Sequence, residues 1–161
     1  MSNSTTERIT DTNNVNVVTA PFPAKTKQAA GVINGIDTEV LSFFFSDKIM
    51  VTIIQDGRLA QWIHVPLESA YSTFAGQALP SEDDGSGLLP MTHLTATTVL
   101  GGTGSSERET LAQLYATQIA STIAVRNPEE TRMLVLGLGL KNVDLERETF
   151  FDMMDLVGKC L

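Results

Sequence analysis

Three tight-turn signals divide residues 25–66 into four short segments, and this spacing constrains the fold more than any other feature. The signals are Asn34-Gly35, Ser46-Asp47 and Asp56-Gly57. Asn-Gly and Asp-Gly favour the positive φ angles of two-residue hairpin turns, so the segments on either side are expected to pair with each other. The pattern predicts a four-stranded antiparallel meander.

Two more strands and two helices are predicted after the meander. The segments "MTHLTATTVL" and "TRMLVLGLGL" have the composition of strands. Between them, a helix begins at a capping box made by Ser106 and Glu109 and ends before Asn127-Pro128. Asp144 opens the last helix, whose apolar stripe comprises Phe150, Met153, Met154, Val157 and Leu161. The predicted fold class is α+β, a six-stranded antiparallel sheet with two helices on one face.

Several predicted strands are apolar on both faces. In "KIMVTIIQ", Ile49, Val51 and Ile53 point to one side of the sheet, and Met50 and Ile54 point to the other. Two helices, each ~10 Å wide, cover about one face of a six-stranded sheet whose strands lie ~4.8 Å apart. The other face must then meet a partner or a second sheet. Cover by the N-terminal tail or by the acidic loop is the weaker alternative, because both are polar. We predict that this face is used for dimerisation. The alternation leaves open which of the two sets lies under the helices.

Two polar segments are expected to be flexible. Residues 1–24 are rich in Ser, Thr and Asn and predict a disordered tail, which leaves residues 25–161 as the folded domain. Residues 75–90, "AGQALPSEDDGSGLLP", predict a flexible acidic loop.

Charge and cysteine content restrict the partners and the compartment. A formal charge of −8 argues against nucleic acid and against an anionic membrane surface, since both require clusters of Lys and Arg. The sequence has no apolar run long enough to span a membrane and no pattern typical of a secretory leader. Cys160 is its only cysteine, so no intrachain disulfide is possible. These features predict a cytoplasmic or nuclear protein.

The sequence contains few residues suited to catalysis. His64 and His93 have no other ligand at a metal-binding spacing. Cys160 lies in the amphipathic last helix, where a lone cysteine is usually a small buried apolar residue. Neither a metal nor a cofactor is therefore expected. The glycine turn Gly101–Ser106 lies between a strand and a helix, as phosphate-binding loops do, but it has no lysine of its own. A small nucleotide-binding enzyme that uses this turn remains one alternative. Gly137 and Gly139 share a strand face and predict the close approach of another element.

From about residue 26 onward the chain resembles the proteasome assembly chaperone 3 family. The similar segments are "GVINGIDTEVLSFFFSDKIMVTIIQDGRL", "LTATTVLGG", "LYATQIASTIA" and "LVLGLGLKNVD". The resemblance implies a non-enzymatic chaperone that pairs with proteasome assembly chaperone 4, sheet against sheet. It also implies that the protein binds an alpha-type subunit of the 20S proteasome and promotes assembly of the alpha ring.

The resemblance leaves open whether the chain forms a homodimer when alone and which alpha-type subunit it binds. A dimeric scaffold of the roadblock or profilin type remains a second alternative, because it shares the plan of one sheet and two helices. The polar N-terminus and the acidic loop depart from the family, so the resemblance assigns no role to either.

Overall fold

The computed structural model describes residues 24–68, 94–102 and 106–161. These residues form six strands and two helices: β1 (Lys25–Ile33), β2 (Ile36–Phe44), β3 (Lys48–Gln55), β4 (Gln61–Pro66), β5 (Thr97–Leu100), α1 (Ser106–Arg126), β6 (Met133–Gly139) and α2 (Arg147–Gly158). The predicted acidic loop and all but the last residue of the predicted tail lie outside the described residues. The α+β class, the six strands and the two helices are as predicted.

The strands form one sheet in the order β1-β2-β3-β6-β4-β5. The first three strands make the predicted antiparallel meander. The prediction is wrong for the fourth, because β6 lies between β3 and β4 and runs parallel to β3. The sheet is therefore mixed, although its other strand pairs are antiparallel.

The connection from β3 to β4 explains this difference. The predicted turn is present, with φ angles of 50° at Asp56 and 69° at Gly57. It closes a single bridge between Gln55 and Arg58. The next backbone hydrogen bond, 3.0 Å long, runs from the amide of Ala60 to the carbonyl of Leu138 in β6. The turn signal was therefore correct locally, but the chain that leaves the turn pairs with a strand from a distant part of the sequence.

Both helices pack on the same face of the sheet. Helix α1 lies against β4, β5 and β6, and α2 lies against β1. The ring of Tyr115 in α1 stacks on that of Phe150 in α2, with 4.9 Å between centroids. Beneath the helices, β3, β4 and β6 supply a fully or almost fully buried core layer of Ile49, Val51, Ile53, Ile63, Val65, Leu134, Leu136 and Leu138.

Both ends of α1 follow the sequence signals closely, whereas α2 starts later than predicted and ends at Gly158, before Leu161 of the predicted apolar stripe. Helix α1 starts at Ser106 and ends at Arg126, immediately before Asn127-Pro128. Helix α2 begins at Arg147 rather than at the predicted Asp144. The carboxylate of Asp144 instead accepts hydrogen bonds from the amide of Glu146 (2.8 Å) and the hydroxyl of Thr149 (2.9 Å). Asp144 therefore orders the turn that leads into the helix.

Candidate interaction surface

The face of the sheet opposite the helices is apolar and incompletely covered. Side chains alternate between the two faces of a strand, so the neighbours of the buried core residues point away from the helices. We call this surface the open face. Its apolar members are half-buried or exposed and include Val32, Leu41, Phe43, Met50, Ile54, Trp62, Met133 and Val135.

Strand register makes the open face continuous. One row crosses four strands through Phe43, Met50, Val135 and His64, each paired with the next. A second row crosses the same strands through Leu41, Thr52, Gly137 and Trp62. In the second row Thr52 and Gly137 are already buried, so the accessible patch at the centre of the sheet runs through Phe43, Met50 and Val135, with Leu41 and Trp62 beside it.

Charged side chains lie around this patch rather than within it. The two central rows contain no Asp, Glu, Lys or Arg. At the periphery, Glu39 accepts a hydrogen bond from Gln28, and Lys48 forms a 2.9 Å ion pair with Asp47. An apolar centre surrounded by polar groups is the usual anatomy of a protein–protein interface.

Glycines shape the open face and the path of the chain beside it. A Cβ atom at Gly137 would lie 3.0 Å from Leu59, 3.1 Å from Trp62 and 3.2 Å from Thr52, so the missing side chain makes room for these three. At Gly139 the space is filled by the backbone of Arg58. The predicted close approach at both glycines is confirmed. The connection between β3 and β4 supplies the approaching backbone at Gly139, and side chains of that connection and of the two flanking strands approach Gly137.

The structure assigns the two residue sets that alternation left open. Ile49, Val51 and Ile53 lie in the core under the helices and are at most 2% exposed. Met50 and Ile54 lie on the open face and are half-buried.

Sequence reasoning did not place Leu41, Trp62 or Val135 on the open face. Their positions depend on register across β2, β4 and β6. The alternation within "QWIHVP" was a usable signal for Trp62, since Ile63 and Val65 are buried on the other side.

The glycine turn before α1 has a structural explanation. Gly101 has a φ of 80°, and a Cβ atom there would lie 2.0 Å from the carbonyl oxygen of Ala60. The guanidinium of Arg108 donates a 3.0 Å hydrogen bond to the carbonyl of Leu140, at the end of β6. Backbone packing therefore accounts for Gly101.

The predicted capping box is only partly described. Residues 103–105 and the side chain of Ser106 lie outside the described structure, so capping by Ser106 stays a prediction. The carboxylate of Glu109 extends back towards the turn, where its Oε1 atom would lie 3.5 Å from a Cβ at Gly102.

The remaining candidate residues are placed as follows. His64 is half-buried in β4, whereas His93 lies outside the described residues. Cys160 is buried, its thiol donates a 3.6 Å hydrogen bond to the carbonyl of Val40, and burial raises its pKa above the usual value. Within the described ranges, no three His, Cys, Asp or Glu residues form a group that could hold a metal ion. Neither described helix combines the length and the hydropathy needed to cross a membrane.

Comparison with known proteins identifies the family. A crystal structure described as that of a novel chaperone complex for yeast 20S proteasome assembly has a similar fold, with a TM-score of 0.52 and 12% identity. The similarity covers 83% of this chain and 96% of that chain. No curated protein matches the sequence. The sequence pattern of proteasome assembly chaperone 3 matches residues 51–160, about two thirds of the chain, and the protein therefore belongs to the proteasome assembly chaperone 3 family.

Proposed function

We propose that this protein is a non-enzymatic chaperone that pairs with proteasome assembly chaperone 4 and binds an alpha-type subunit while the alpha ring of the 20S proteasome forms. Family membership supports the role in proteasome assembly. The continuous apolar patch on the open face is the observation that supports pairing. We further propose that the protein acts in the cytoplasm or the nucleus.

The chemistry of the open face favours association with a second sheet. Phe43, Met50 and Val135 are adjacent across three strands, so a partner that covers them removes one contiguous apolar area from water. Such burial contributes about 25 cal/mol per Å² of apolar surface. A sheet is a suitable partner because two apolar sheet faces pack ~10 Å apart with interdigitating side chains.

The open face also leaves the helix side available for other contacts. Helices α1 and α2 lie on the opposite face of the sheet, so a partner seated on the open face does not cover them. Pairing and binding of an alpha-type subunit therefore require no common surface. In this proposal the dimer forms through the open face, and the subunit is held elsewhere on the dimer.

Pairing is tested by co-expressing the chain with proteasome assembly chaperone 4 and measuring the mass of the complex by size-exclusion chromatography with light scattering. Val135→Asp puts a charge at the centre of the open face, where covering it without a counter-charge is costly. Val125→Asp makes the same change at a 64% exposed position of α1 and serves as the matched control. We expect Val135→Asp to abolish the heterodimer and Val125→Asp to leave it intact.

Binding of the subunit is measured separately, by adding purified alpha-type subunits one at a time to the heterodimer. We expect one of them to form a stable complex. Heterodimer formation by Val135→Asp at the wild-type level would contradict pairing through the open face. Absence of binding to every alpha-type subunit would contradict the chaperone mechanism, whatever the outcome for pairing.

A further inference from the structure

A small pocket lies on the helix side of the sheet, at the end where β1 turns into β2. Its volume is about 170 Å³, and both α1 and α2 contribute to its walls. Apolar side chains of Ile33, Ile36, Leu140 and Met153 form part of the lining. The polar lining comprises Asn34, Gln55, Tyr115, Lys141, Asn142, Asp144 and Thr149. We call it the end pocket.

Tyr115 brings an unused hydroxyl to the end pocket. The residue is 1% exposed, and among the described residues its hydroxyl has no hydrogen-bond partner, although its ring stacks on Phe150. Burial, helped by the nearby charge of Asp144, raises the pKa of Tyr115 well above its usual range, so the hydroxyl keeps its proton. Because Tyr115 lines the pocket, its hydroxyl is available to a ligand that can form a hydrogen bond with it.

Asp144 supplies the net charge of the end pocket. Its carboxylate accepts hydrogen bonds from the amide of Glu146, the hydroxyl of Thr149 and the side-chain amide of Asn34 (2.7 Å), and these bonds hold its pKa below the usual value. Three bonds leave one of about four acceptor positions on a carboxylate. No Lys or Arg in the described residues forms an ion pair with Asp144.

The other charge in the lining is already neutralised. The ammonium of Lys141 lies 2.6 Å from the carboxylate of Asp56, so this pair contributes no net charge. The backbone amide of Lys141 donates to Gln55, whose own amide donates to Thr38, so the polar groups at the base of the pocket are satisfied internally. Asp144 therefore carries the uncompensated charge of the lining, and the Tyr115 hydroxyl and the side-chain amide of Asn142 are available for further polar contacts.

We propose that the end pocket receives the positively charged side chain of an arginine or lysine from a protein partner. The apolar lining accommodates the methylene stem, Asp144 pairs with the cationic head, and the Tyr115 hydroxyl accepts a hydrogen bond from it. The chain carries a net charge of −8, which attracts basic partners over longer distances. The inference does not depend on pairing through the open face, because the pocket lies on the other side of the sheet.

The test uses the purified full chain and a capped pentapeptide with arginine between two pairs of glycines, titrated by NMR. A peptide with norleucine in place of arginine controls for the stem, and agmatine controls for a free small cation. We expect saturable shifts around the end pocket with the arginine peptide, weakened by added salt. We expect no binding of the norleucine peptide. We expect agmatine to bind no more strongly than the arginine peptide.

Three variants locate the site. Tyr115→Phe removes the hydroxyl and keeps the aromatic ring, and we expect it to weaken binding about fivefold, as for the loss of one hydrogen bond. Asp144→Asn keeps the shape and removes the charge, and we expect a loss of about tenfold or more. Asp152→Asn removes an exposed charge of α2 that does not line the pocket, and binding should stay unchanged.

Several results would overturn the proposal. No saturable binding of the arginine peptide would mean that the pocket holds only solvent. Equal binding of the norleucine peptide would show that the charge is irrelevant, and binding of agmatine alone would point to a free metabolite instead of a protein partner. Circular dichroism establishes whether each variant is folded. An unchanged affinity in folded Tyr115→Phe would show that the Tyr115 hydroxyl does not bind the ligand.

Discussion

The carbonyl oxygen of Arg58 lies directly against Gly139, at a point 1.7 Å from where a Cβ atom would be. This contact lets the chain cross from β3 to β4 over the end of β6. A side chain at position 139 would collide with backbone, which cannot rotate away as a flexible side chain can. The position of β6 between β3 and β4 therefore depends on this glycine.

We accordingly expect Gly139→Ala to lower the free energy of unfolding by about 3 kcal/mol or more. Gly137→Ala is the matched comparison on the same strand, because the added Cβ would meet only the side chains of Leu59, Trp62 and Thr52, at 3.0 Å or more. For it we expect a loss of about 1 kcal/mol. Urea denaturation measures both variants, and equal losses would show that the backbone contact at Gly139 is not limiting.

The ion pair between Glu130 and Arg132 joins the start of β6 to the end of β2. The guanidinium donates to both carboxylate oxygens, at 2.8 and 2.7 Å, and to the carbonyl of Phe45 at 2.7 Å. The hydrogen bond from Arg132 holds the pKa of Glu130 below its usual value. Because the folded-state pKa is depressed, this stabilisation is complete above the unfolded value of about 4.3 and is lost as the pH falls through the folded value.

Replacing Glu130 by Gln should lower the free energy of unfolding at neutral pH by about 1–3 kcal/mol, since Glu130 is buried and its partner loses a charged acceptor. The decline in stability below about pH 4.3 should also become shallower. Asp47→Asn is the control, because its pair with Lys48 is exposed and should matter little. Thermal unfolding between neutral and acidic pH measures these effects. Identical pH profiles for wild type and Glu130→Gln would contradict the assigned role of the pair.

Local sequence signals predicted which strands and helices form more reliably than they predicted which strands lie next to each other in the sheet. Turn residues at Asn34-Gly35 fixed the first hairpin, and Asn127-Pro128 marked the end of α1, because both act within a few residues. The place of β6 in the sheet depends on contacts between residues about 80 positions apart, such as Ala60 with Leu138. No local pattern contains that information, although the two-sided apolar run of β6 is typical of a central strand.

The candidate surface was predictable to the same extent. Alternation in β3 separated Met50 and Ile54 from the set that contains Ile49, Val51 and Ile53. It did not indicate which of the two sets lies under the helices. Trp62 and Val135 join Met50 on the open face only through the register of β6 with β3 and β4. Surface continuity across strands is a property of pairing, so it became visible only in the folded sheet.

The glycine turn before α1 gives a prediction that separates capping from nucleotide binding. Ser106→Ala should lower the free energy of unfolding by about 0.5–2 kcal/mol through a lost helix cap. ATP should not change the melting temperature of either protein. Ser105→Ala is the comparison, because Ser105 immediately precedes the first helical residue, Ser106. A larger loss of stability in Ser105→Ala than in Ser106→Ala would show that Ser105 is the capping residue. ATP-induced stabilisation that Ser106→Ala abolishes would favour the nucleotide-binding alternative.

We propose that β3 separates a helix-covered core from a pairing surface. Met50 and Val51 are consecutive residues on opposite faces of this strand, so Met50→Asp and Val51→Asp place the same charge on the two sides of one sheet. Val51 is fully buried, and a charge there is expected to unfold the protein. Met50 is half-buried on the open face, and a charge there should be tolerated by the monomer.

Sedimentation velocity of each variant mixed with proteasome assembly chaperone 4, read together with circular dichroism, tests this claim most directly. We predict that Met50→Asp keeps the wild-type spectrum but sediments as a monomer beside a free partner, while wild type forms the heterodimer and Val51→Asp loses its structure. A folded Met50→Asp variant that forms the heterodimer as wild type does would contradict the claim, as would a wild-type chain that never associates.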